Sequence, residues 1–238
     1  MSTIETTGVN GDAGPVRGRT SRPRTDVRRI PGNQVRDRGA LDALLDTALV
    51  AHVAILAGAD GRYPDHPVVV PLTFTRDHDA LLVHGSTASR AFRLLAAGQP
   101  TCVTVTVVDG VVVARSQFES SLRYRSAMVF GSFEVLHGSA KRKALSVLSA
   151  RLLPGLAGAR EPSAQELAAT AVLSLPLEEW SVKVADGHPE DRPDDLDRPI
   201  WAGTVPLVHD WGEPIPAPDL PAGVAIPEAI RTWRPGRA

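Results

Sequence analysis

The sequence predicts a mainly β domain with helical insertions, built as an antiparallel barrel. Runs rich in Val, Thr and Leu recur along the chain and are separated by tight turn signals, such as Tyr63-Pro64-Asp65 and Arg76-Asp77-His78-Asp79. Apolar residues at helical spacing appear in only a few segments, so strands and helices do not alternate regularly. There is no G-x-G-x-x-G after the first strand and no Walker A loop, which argues against a doubly wound dinucleotide-binding domain.

The elements can be placed in order along the chain. The first helix begins after Asp37, a predicted N-cap, and a second opens after the segment 85–90. Asp109-Gly110 is the strongest short hairpin signal, and Gly131 inside a strand indicates a bulge or a close approach. Further helices are predicted at residues 139–152 and 163–170, and strands at residues 49–57, 67–75, 80–84, 101–108, 111–116, 126–137, 171–177 and 180–184.

Composition divides the chain into three parts. Residues 1–29 hold few large apolar side chains, so burial cannot offset the entropy of ordering them, and we predict a disordered tail. Residues 30–211 form the predicted barrel domain, and residues 212–238 form a Pro-rich C-terminal tail. A role for either tail as an adaptor for a partner protein is a weaker alternative to a solvated extension.

Composition also limits the function classes. The formal net charge of −1 provides no basic field for nucleic acid. Cys102 is the only cysteine, which excludes an internal disulfide and a cysteine metal cluster. No apolar run is long enough to span a membrane and the N-terminus lacks a signal-peptide core, so we expect a cytoplasmic protein.

The segment 84–90, His-Gly-Ser-Thr-Ala-Ser-Arg, is a candidate anion site. A strand ends, the chain turns on Gly85, and a helix begins among three hydroxyls and an arginine. Backbone N–H groups, hydroxyls and a guanidinium together can bind a phosphate. Simple helix capping by Ser86 or Thr87, with Arg90 on the surface, explains the same residues equally well. His84 is either a partly buried histidine or a cofactor contact.

Other polar residues carry weaker signals. Three arginines flank Glu119: Arg115, Arg123 and Arg125. They either form an anion or cofactor pocket at the rim of the barrel or are solvated charges. The residues alone favour solvated charges. Cys102 lies in an apolar strand and is expected to be inert core. No metal-binding spacing of histidines occurs, and the aspartates near the C-terminus, which lack the spacing of a calcium loop, are expected to be solvated: Asp191, Asp194, Asp195 and Asp197.

Several motifs, taken in order, resemble the pyridoxamine-5′-phosphate-oxidase-like flavoproteins, in the branch that includes nitroimidazole-resistance proteins. The resemblance covers residues 28–207 and implies a six-stranded antiparallel split β-barrel that forms a homodimer, with FMN in the groove between subunits. The motifs are Val70-Pro71 at a strand end, L-L-V-H-G-S-T-A-S-R (81–90), D-G-V-V-V-A-R-S (109–116), Y-R-S-A-M-V-F-G (124–131) and W-A-G-T-V-P-L (201–207).

The same resemblance implies roles for individual residues. The turn after the third strand resembles the family's phosphate-binding turn, and the strand 69–72 resembles the one that edges the isoalloxazine ring. Ser126 falls at a flavin-contacting position, and Trp201 resembles an aromatic that packs near the cofactor. The implied cofactor contacts are Val69, Val70, Pro71, Leu72, His84, Gly85, Ser86, Ser89, Arg90, Ser126 and Trp201, and the substrate-pocket candidates are Glu119, Tyr124 and Arg125.

The chain also departs from the family pattern. Glu119 and Ser120 stand where the branch has two histidines, Arg123 replaces an asparagine, Ala91 replaces the lysine of the oxidase proper, and Ala185 replaces an arginine. These differences leave the fold prediction intact and argue against pyridoxamine-phosphate oxidase activity itself.

Two function hypotheses follow from the residues and the resemblance. The first is an FMN-dependent oxidoreductase acting on a small flat or conjugated substrate stacked on the flavin, with no obligatory catalytic side chain. The alternative is a non-catalytic carrier or sensor that binds flavin, haem or deazaflavin F420, in which His84 or His66 would serve as a haem ligand.

Overall fold

The computed structural model describes residues 23–56, 66–153, 159–234 and 236. Each helix in this part of the chain is too short or too polar to cross a bilayer. The helices are α1 (Arg38–Thr47), α2 (Arg90–Ala96), α3 (Gly138–Leu152), α4 (Ala164–Ala169) and α5 (Glu228–Thr232). The strands are β1 (Gln34–Val35), β2 (Val50–Leu56), β3 (Pro67–Asp77), β4 (Ala80–Ser86), β5 (Pro100–Val113), β6 (Ser121–Ser132), β7 (Glu134–Val135), β8 (Thr170–Pro176), β9 (Glu179–Ala185) and β10 (Gly203–Pro206).

All strand pairs are antiparallel and join into one sheet. The order is β1-β9-β6-β5-β2-β3-β4-β8-β7, and β10 adds to the far end of β5. The sheet curls until β6 approaches β8. The approach is close at Gly131 of β6, where an added methyl group would lie only 2.9 Å from Cδ1 of Leu175 on β8. The predicted antiparallel split barrel is therefore confirmed, and so is the close approach predicted at Gly131.

Helix α1 covers the barrel core. The predicted cap is correct, because the Asp37 carboxylate accepts a hydrogen bond of 2.9 Å from the backbone N–H of Ala40. Leu41, Leu44 and Leu45 lie on the inner side of the helix and are at most 1 % exposed. The helix contacts β3, β5 and β6, so it joins strands that are distant in the chain.

The hairpin predicted at Asp109-Gly110 is wrong. Strand β5 continues through these residues, with an irregularity in its pairing to β6 between Val108 and Gly110. Gly110 has a φ of 155°, and a Cβ there would clash with the carbonyl oxygen of Val205. The glycine thus allows β10 to approach β5 closely. The chain reverses later, at residues 114–120, and β6 begins at Ser121 rather than at residue 126.

Both ends of the described chain lie against the barrel. Residues 1–22 of the predicted N-terminal tail lie outside the described residues, whereas Val27 N–H donates to Gln34 Oε1 at 3.1 Å. In the predicted C-terminal tail, α5 forms and the ring of Trp233 lies 5.7 Å from that of Trp211. The divisions at residues 29 and 211 remain predictions.

Helix α3 packs on the outside of β3, β4 and β8 and also supports α1. Ala144 and Leu148 of α3 are buried against strand residues of the outer face. Near the end of α3, Arg151 Nη2 donates to the backbone carbonyls of Leu45, Asp46 and Ala48, at 3.2 Å and 2.9 Å for the first and last. These carbonyls have no partner within α1, so the guanidinium satisfies the C-terminus of that helix.

We expect Arg151→Met to lower the free energy of unfolding by about 2 kcal/mol, because it leaves partly buried carbonyls without a charged donor. Urea denaturation followed by circular dichroism measures this change. Arg142→Met is the matched control, since Arg142 is exposed on the same helix. Equal stability of the two variants would contradict the role given to Arg151.

Helix α4 begins with a capping box. Ser163 Oγ accepts from the Glu166 N–H at 3.2 Å, and Glu166 Oε2 accepts from the Ser163 N–H at 2.7 Å. The same carboxylate is held by Arg160 at 2.7 Å and 2.8 Å. The hydrogen bonds from Arg160, and then those from Ser163, lower the pKa of Glu166 from 4.5 to about 2.

This shift predicts how α4 responds to acid. A carboxyl whose pKa falls on folding contributes stability above its unfolded value of 4.5, and this contribution is lost as the pH falls through about 2. An NMR titration of the Glu166 side chain should therefore give a midpoint well below 4.5. Arg160→Ala should raise the midpoint, and an unchanged midpoint in that variant would contradict the assignment.

Candidate functional site

β3 and β4 stop pairing part of the way along their length, and beyond that point each strand has one backbone edge that is not paired with the other. β3 pairs with β2 as far as Thr73 and with β4 only from Phe74 onward. On β4, Val83 is the last residue paired with β3, and residues 84–86 pair with β8 alone. Unpaired backbone groups at such edges can bind a ligand. The two segments expected to contact the cofactor, 69–72 and 84–86, therefore lie on opposite sides of one opening.

The shape of the turn after β4 depends on Gly85. The ring of Phe92, on the first turn of α2, packs directly against this glycine and is only 4 % exposed. A Cβ at position 85 would clash with that ring. The glycine therefore allows α2 to begin close against the strand end.

Hydrogen bonds fix the conformation of the same turn. The N–H of Thr87 donates to the carbonyl of Ala169 at 2.9 Å, which ties the turn to the end of α4. The N–H of Ala88 donates to Ser86 Oγ at 3.1 Å, and the N–H of Ser89 donates to the Ser86 carbonyl at 3.0 Å. The turn is thus held by its own backbone and needs no ligand to keep its shape.

The N-cap of α2 lies later than expected. Ser86 and Thr87 were the predicted caps, but the structure places the cap at Ser89, directly before Arg90. The Ser89 hydroxyl makes no capping hydrogen bond, and Arg90 is half-buried. A hydroxyl without a capping role next to a guanidinium is a suitable donor pair for a phosphate. His84 is exposed and is two residues before Ser86, so both lie on the same face of β4.

The first part of β3 forms the other side of the opening. Val69 and Pro71 are exposed on the outer face of the sheet, whereas Val70 and Leu72 pack against the core. The same outer face carries His52, which is exposed and pairs with Pro71 across the strands. Sequence reasoning did not single out His52, although the alternation of β2 between buried and exposed positions was a usable signal.

Ser126 lies on the outer face of β6, near two other polar side chains. It pairs with Lys183 of β9 across the strands. The Lys183 ammonium lies 5.7 Å from the ring centroid of Tyr124, two residues before Ser126. A hydroxyl, a phenol and an ammonium group are therefore present on one patch of sheet.

Two of the three arginines near Glu119 bind aspartates instead of that glutamate. Arg125 donates two hydrogen bonds, of 2.9 Å and 2.8 Å, to the carboxylate of Asp109, and this raises the pKa of Arg125. Arg115 binds Asp191 through its backbone N–H at 2.6 Å and its Nη1 at 2.9 Å. The side chain of Asp191 is only 1 % exposed, so the prediction of a solvated acidic loop is wrong at this residue.

Trp201 is 64 % exposed, and its ring lies over Gly203 at the start of β10. The predicted site residues thus fall into two groups within one chain. The first comprises residues 69–72 and 84–90. The second comprises Ser126, Trp201 and the pocket candidates near the β5–β6 connection. Strands β5, β2 and β3 lie between β6 and β4 in the sheet order, so the two groups belong to strands that are not neighbours.

An apolar pocket opens on the outer face where β2, β3 and β5 meet. Cys102 is half-buried in its wall rather than in the core as expected, and burial raises the pKa of its thiol. In the described part of the chain, no three His, Cys, Asp or Glu side chains are arranged to hold a metal ion by themselves. The lining residues are Ala54, Ile55, Leu56, Pro67, Pro100, Thr101 and Cys102.

Comparisons with known proteins give consistent results. The family model described as pyridoxamine 5′-phosphate oxidase matches residues 37–184. No curated protein matches the chain. The FAD and haem binding protein from Mycobacterium smegmatis is 46 % identical with a TM-score of 0.78, and the match covers 84 % of this chain and 96 % of that chain.

Two further structures are similar. The flavocytochrome Anf3 from Azotobacter vinelandii is 35 % identical with a TM-score of 0.81, and the match covers 89 % of this chain and 96 % of that chain. A 5-nitroimidazole antibiotic resistance protein from Bacteroides thetaiotaomicron is 21 % identical with a TM-score of 0.52, covering 63 % of this chain and 86 % of that chain. The last likeness concerns the fold alone.

We expect Gly85→Ala to lower the free energy of unfolding by about 1–3 kcal/mol, because the added methyl group must displace the buried Phe92 ring. Gly187→Ala is the control, since no atom lies within 4 Å of its added Cβ. Denaturant melts of both variants measure the difference. The double variant Gly85→Ala/Phe92→Leu should regain part of the loss, and a Gly85→Ala melt equal to wild type would contradict the packing argument.

Proposed function

Because the chain belongs to the pyridoxamine 5′-phosphate oxidase family, we propose that it is a redox protein that binds a flavin and, at a second site, haem. One observation carries this proposal. The two relatives that match most of this chain, at 46 % and 35 % identity, are a FAD and haem binding protein and a flavocytochrome. Both matches cover more of the chain than the family model does, so the similarity is not limited to the flavoprotein core.

The turn after β4 fits the phosphate of a flavin. Ser86 and Ser89 place hydroxyls on a turn whose backbone is already fixed, and Arg90 adds a positive charge beside them. A preformed site costs little ordering entropy when the ligand binds. These side chains would hold the phosphate, and charge-assisted hydrogen bonds would supply much of the affinity.

The opening between β3 and β4 fits the flavin ring. The backbone of residues 69–72 has a free edge toward the opening, and the apolar side chains of Val70 and Leu72 lie beside this edge on the core side of the sheet. Edge N–H and C=O groups can bind the polar rim of a planar ring while apolar side chains cover its face. Bound flavin supplies electron and hydride transfer, and the chain's own part is to bind and orient it.

We further propose that the site is completed in a homodimer. Ser126, Tyr124 and Trp201 lie on β6 or next to β10, and neither strand is a neighbour of β4, which leads into the phosphate turn. Exposed apolar side chains also stand in a row across β10, β5 and β6, where Val205, Val111 and Leu122 are 51 %, 42 % and 48 % exposed and paired in register. Such rows are typical of association surfaces, and a second copy can bring the missing group to each opening.

The flavin and the reaction are finer points of the proposal. The family resemblance implies FMN. FMN and FAD contain the same ribityl phosphate, and we favour FAD because the relative of 46 % identity binds FAD. An oxidoreductase that passes electrons from a small donor to the flavin would account for the presence of both a flavin and a haem. The alternative is a carrier or sensor that binds its cofactors without turnover, and deazaflavin F420 is a third possible ligand. Reduction of the bound flavin by NAD(P)H would favour the oxidoreductase over the carrier.

The test is an absorption spectrum of the purified protein, with each released cofactor identified by mass. We expect paired flavin bands together with a Soret band, and a mass of FAD. Arg90→Ala should reduce flavin per protein at least tenfold, because a charged phosphate contact is lost, without changing the Soret band. Arg142→Ala, on exposed α3 surface, is the matched control. A colourless protein that takes up neither flavin nor haem when they are added would contradict the proposal.

A further inference from the structure

The outer face formed by β2, β3 and β5 is apolar around the pocket that opens on it. Its pocket is lined by Ala54 and Leu56 of β2, Pro67 of β3 and Cys102 of β5. Ala54 pairs with Val69 on one side and with Cys102 on the other, so Val69, which is 57 % exposed, extends the same surface. A surface of this kind favours a ligand with a broad apolar face.

One histidine lies on this face beside the pocket. His52 is two residues before Ala54 on β2, and the alternation of the strand gives both the same side of the sheet. Its neighbours across the strands are Pro71 and Thr104, whose side chains are compact. A planar group bound to the imidazole can therefore lie over the face without meeting a long side chain from an adjacent strand. A neutral imidazole nitrogen is a common axial ligand of haem iron.

The far side of the pocket carries an aromatic ring and a cation. Phe130 of β6 pairs with Cys102, so it lies on the same face one strand further along. The guanidinium of Arg24 is 5.1 Å from the centroid of that ring and also forms an ion pair with Glu179. Haem has two carboxylates on one edge of an apolar macrocycle. Neither His52 nor Arg24 lines the pocket itself, but His52 lies on the same face of β2, and Arg24 lies over the ring of Phe130. The face therefore offers an imidazole and, toward one edge, a cation for a carboxylate.

His84 and His66, the haem ligands predicted from the sequence, are less well placed than His52 to bind a haem at the apolar pocket. His84 belongs to β4 and pairs with Val172 of β8, next to the turn proposed for the flavin phosphate. His66 precedes Pro67 at the pocket edge but lies outside the paired part of β3. Of these three histidines, only His52 lies within a paired strand on the same face as the apolar pocket.

We propose that haem binds on the outer face of β2, β3 and β5, with His52 as an axial ligand and Arg24 near the carboxylate edge. The proposal rests on the proposed haem-binding function and adds to it the position and ligand of the haem. It also separates this site from the flavin-phosphate turn, because residues 84–90 are not part of the face.

The experiment compares the full-length wild-type protein with His52→Ala, His66→Ala and His84→Ala, each reconstituted with haem b and with FAD. Soret absorbance per protein measures haem, the flavin bands measure FAD, and the Soret and visible bands report the ligand on the iron. We expect His52→Ala to lose at least tenfold in haem retained after gel filtration while it keeps its FAD and its circular dichroism spectrum. The two control variants should keep a wild-type Soret band.

A second variant keeps the test decisive if haem is held partly by the apolar pocket. In His52→Gly, added imidazole should restore a wild-type Soret position, because a free imidazole can replace the missing side chain. Wild-type haem content and an unshifted Soret band in His52→Ala would overturn the assignment. Loss of haem in His84→Ala or His66→Ala, but not in His52→Ala, would also overturn the assignment of His52. It would leave the proposed haem-binding function intact. A wild-type protein that binds FAD but no haem would overturn the site and the haem part of the function together.

Discussion

The separation of β3 from β4 after Phe74 and Val83 is the constraint on which the candidate site depends. If the two strands stayed paired in the same register, residues 71–73 would bind residues 84–86, and these backbone edges would not be available to a ligand. Two features keep them apart. β3 continues along β2, while β4 continues along β8, and Gly85 lets Phe92 of α2 pack against the strand end. The opening is therefore built by barrel packing and exists before any cofactor binds.

The two proposed cofactor sites use different parts of the same barrel. The opening offers a phosphate turn and a strand edge, while the outer face beyond it offers an apolar surface with His52. Both border β3, so a flavin along residues 69–72 and a haem over Ala54 would be neighbours on one strand. A second copy of the chain would cover both sites and exclude water from them. The exposed row of Val205, Val111 and Leu122 is consistent with such a cover.

Local signals in the sequence predicted much of the fold, because capping and strand alternation are encoded by neighbouring residues. The Asp37 cap and the close approach at Gly131 follow from such signals. Asp109-Gly110 misled because a glycine that permits a third strand to approach looks the same in sequence as a glycine that permits a turn. Asp191 was missed since its partner Arg115 is far away in the chain, and no local pattern reports a buried ion pair. His52 was passed over because part of its apolar surroundings comes from β3 and β5, which are distant in the chain.

The most direct measurement of the central claim is a crystal structure of the protein reconstituted with flavin. We expect the flavin phosphate to contact Ser86, Ser89 and Arg90, with the ring along the edge of residues 69–72 and a second copy of the chain over it. A flavin whose phosphate is held instead by the arginines at the β5–β6 connection, with the opening between β3 and β4 closed or filled by side chains, would contradict it.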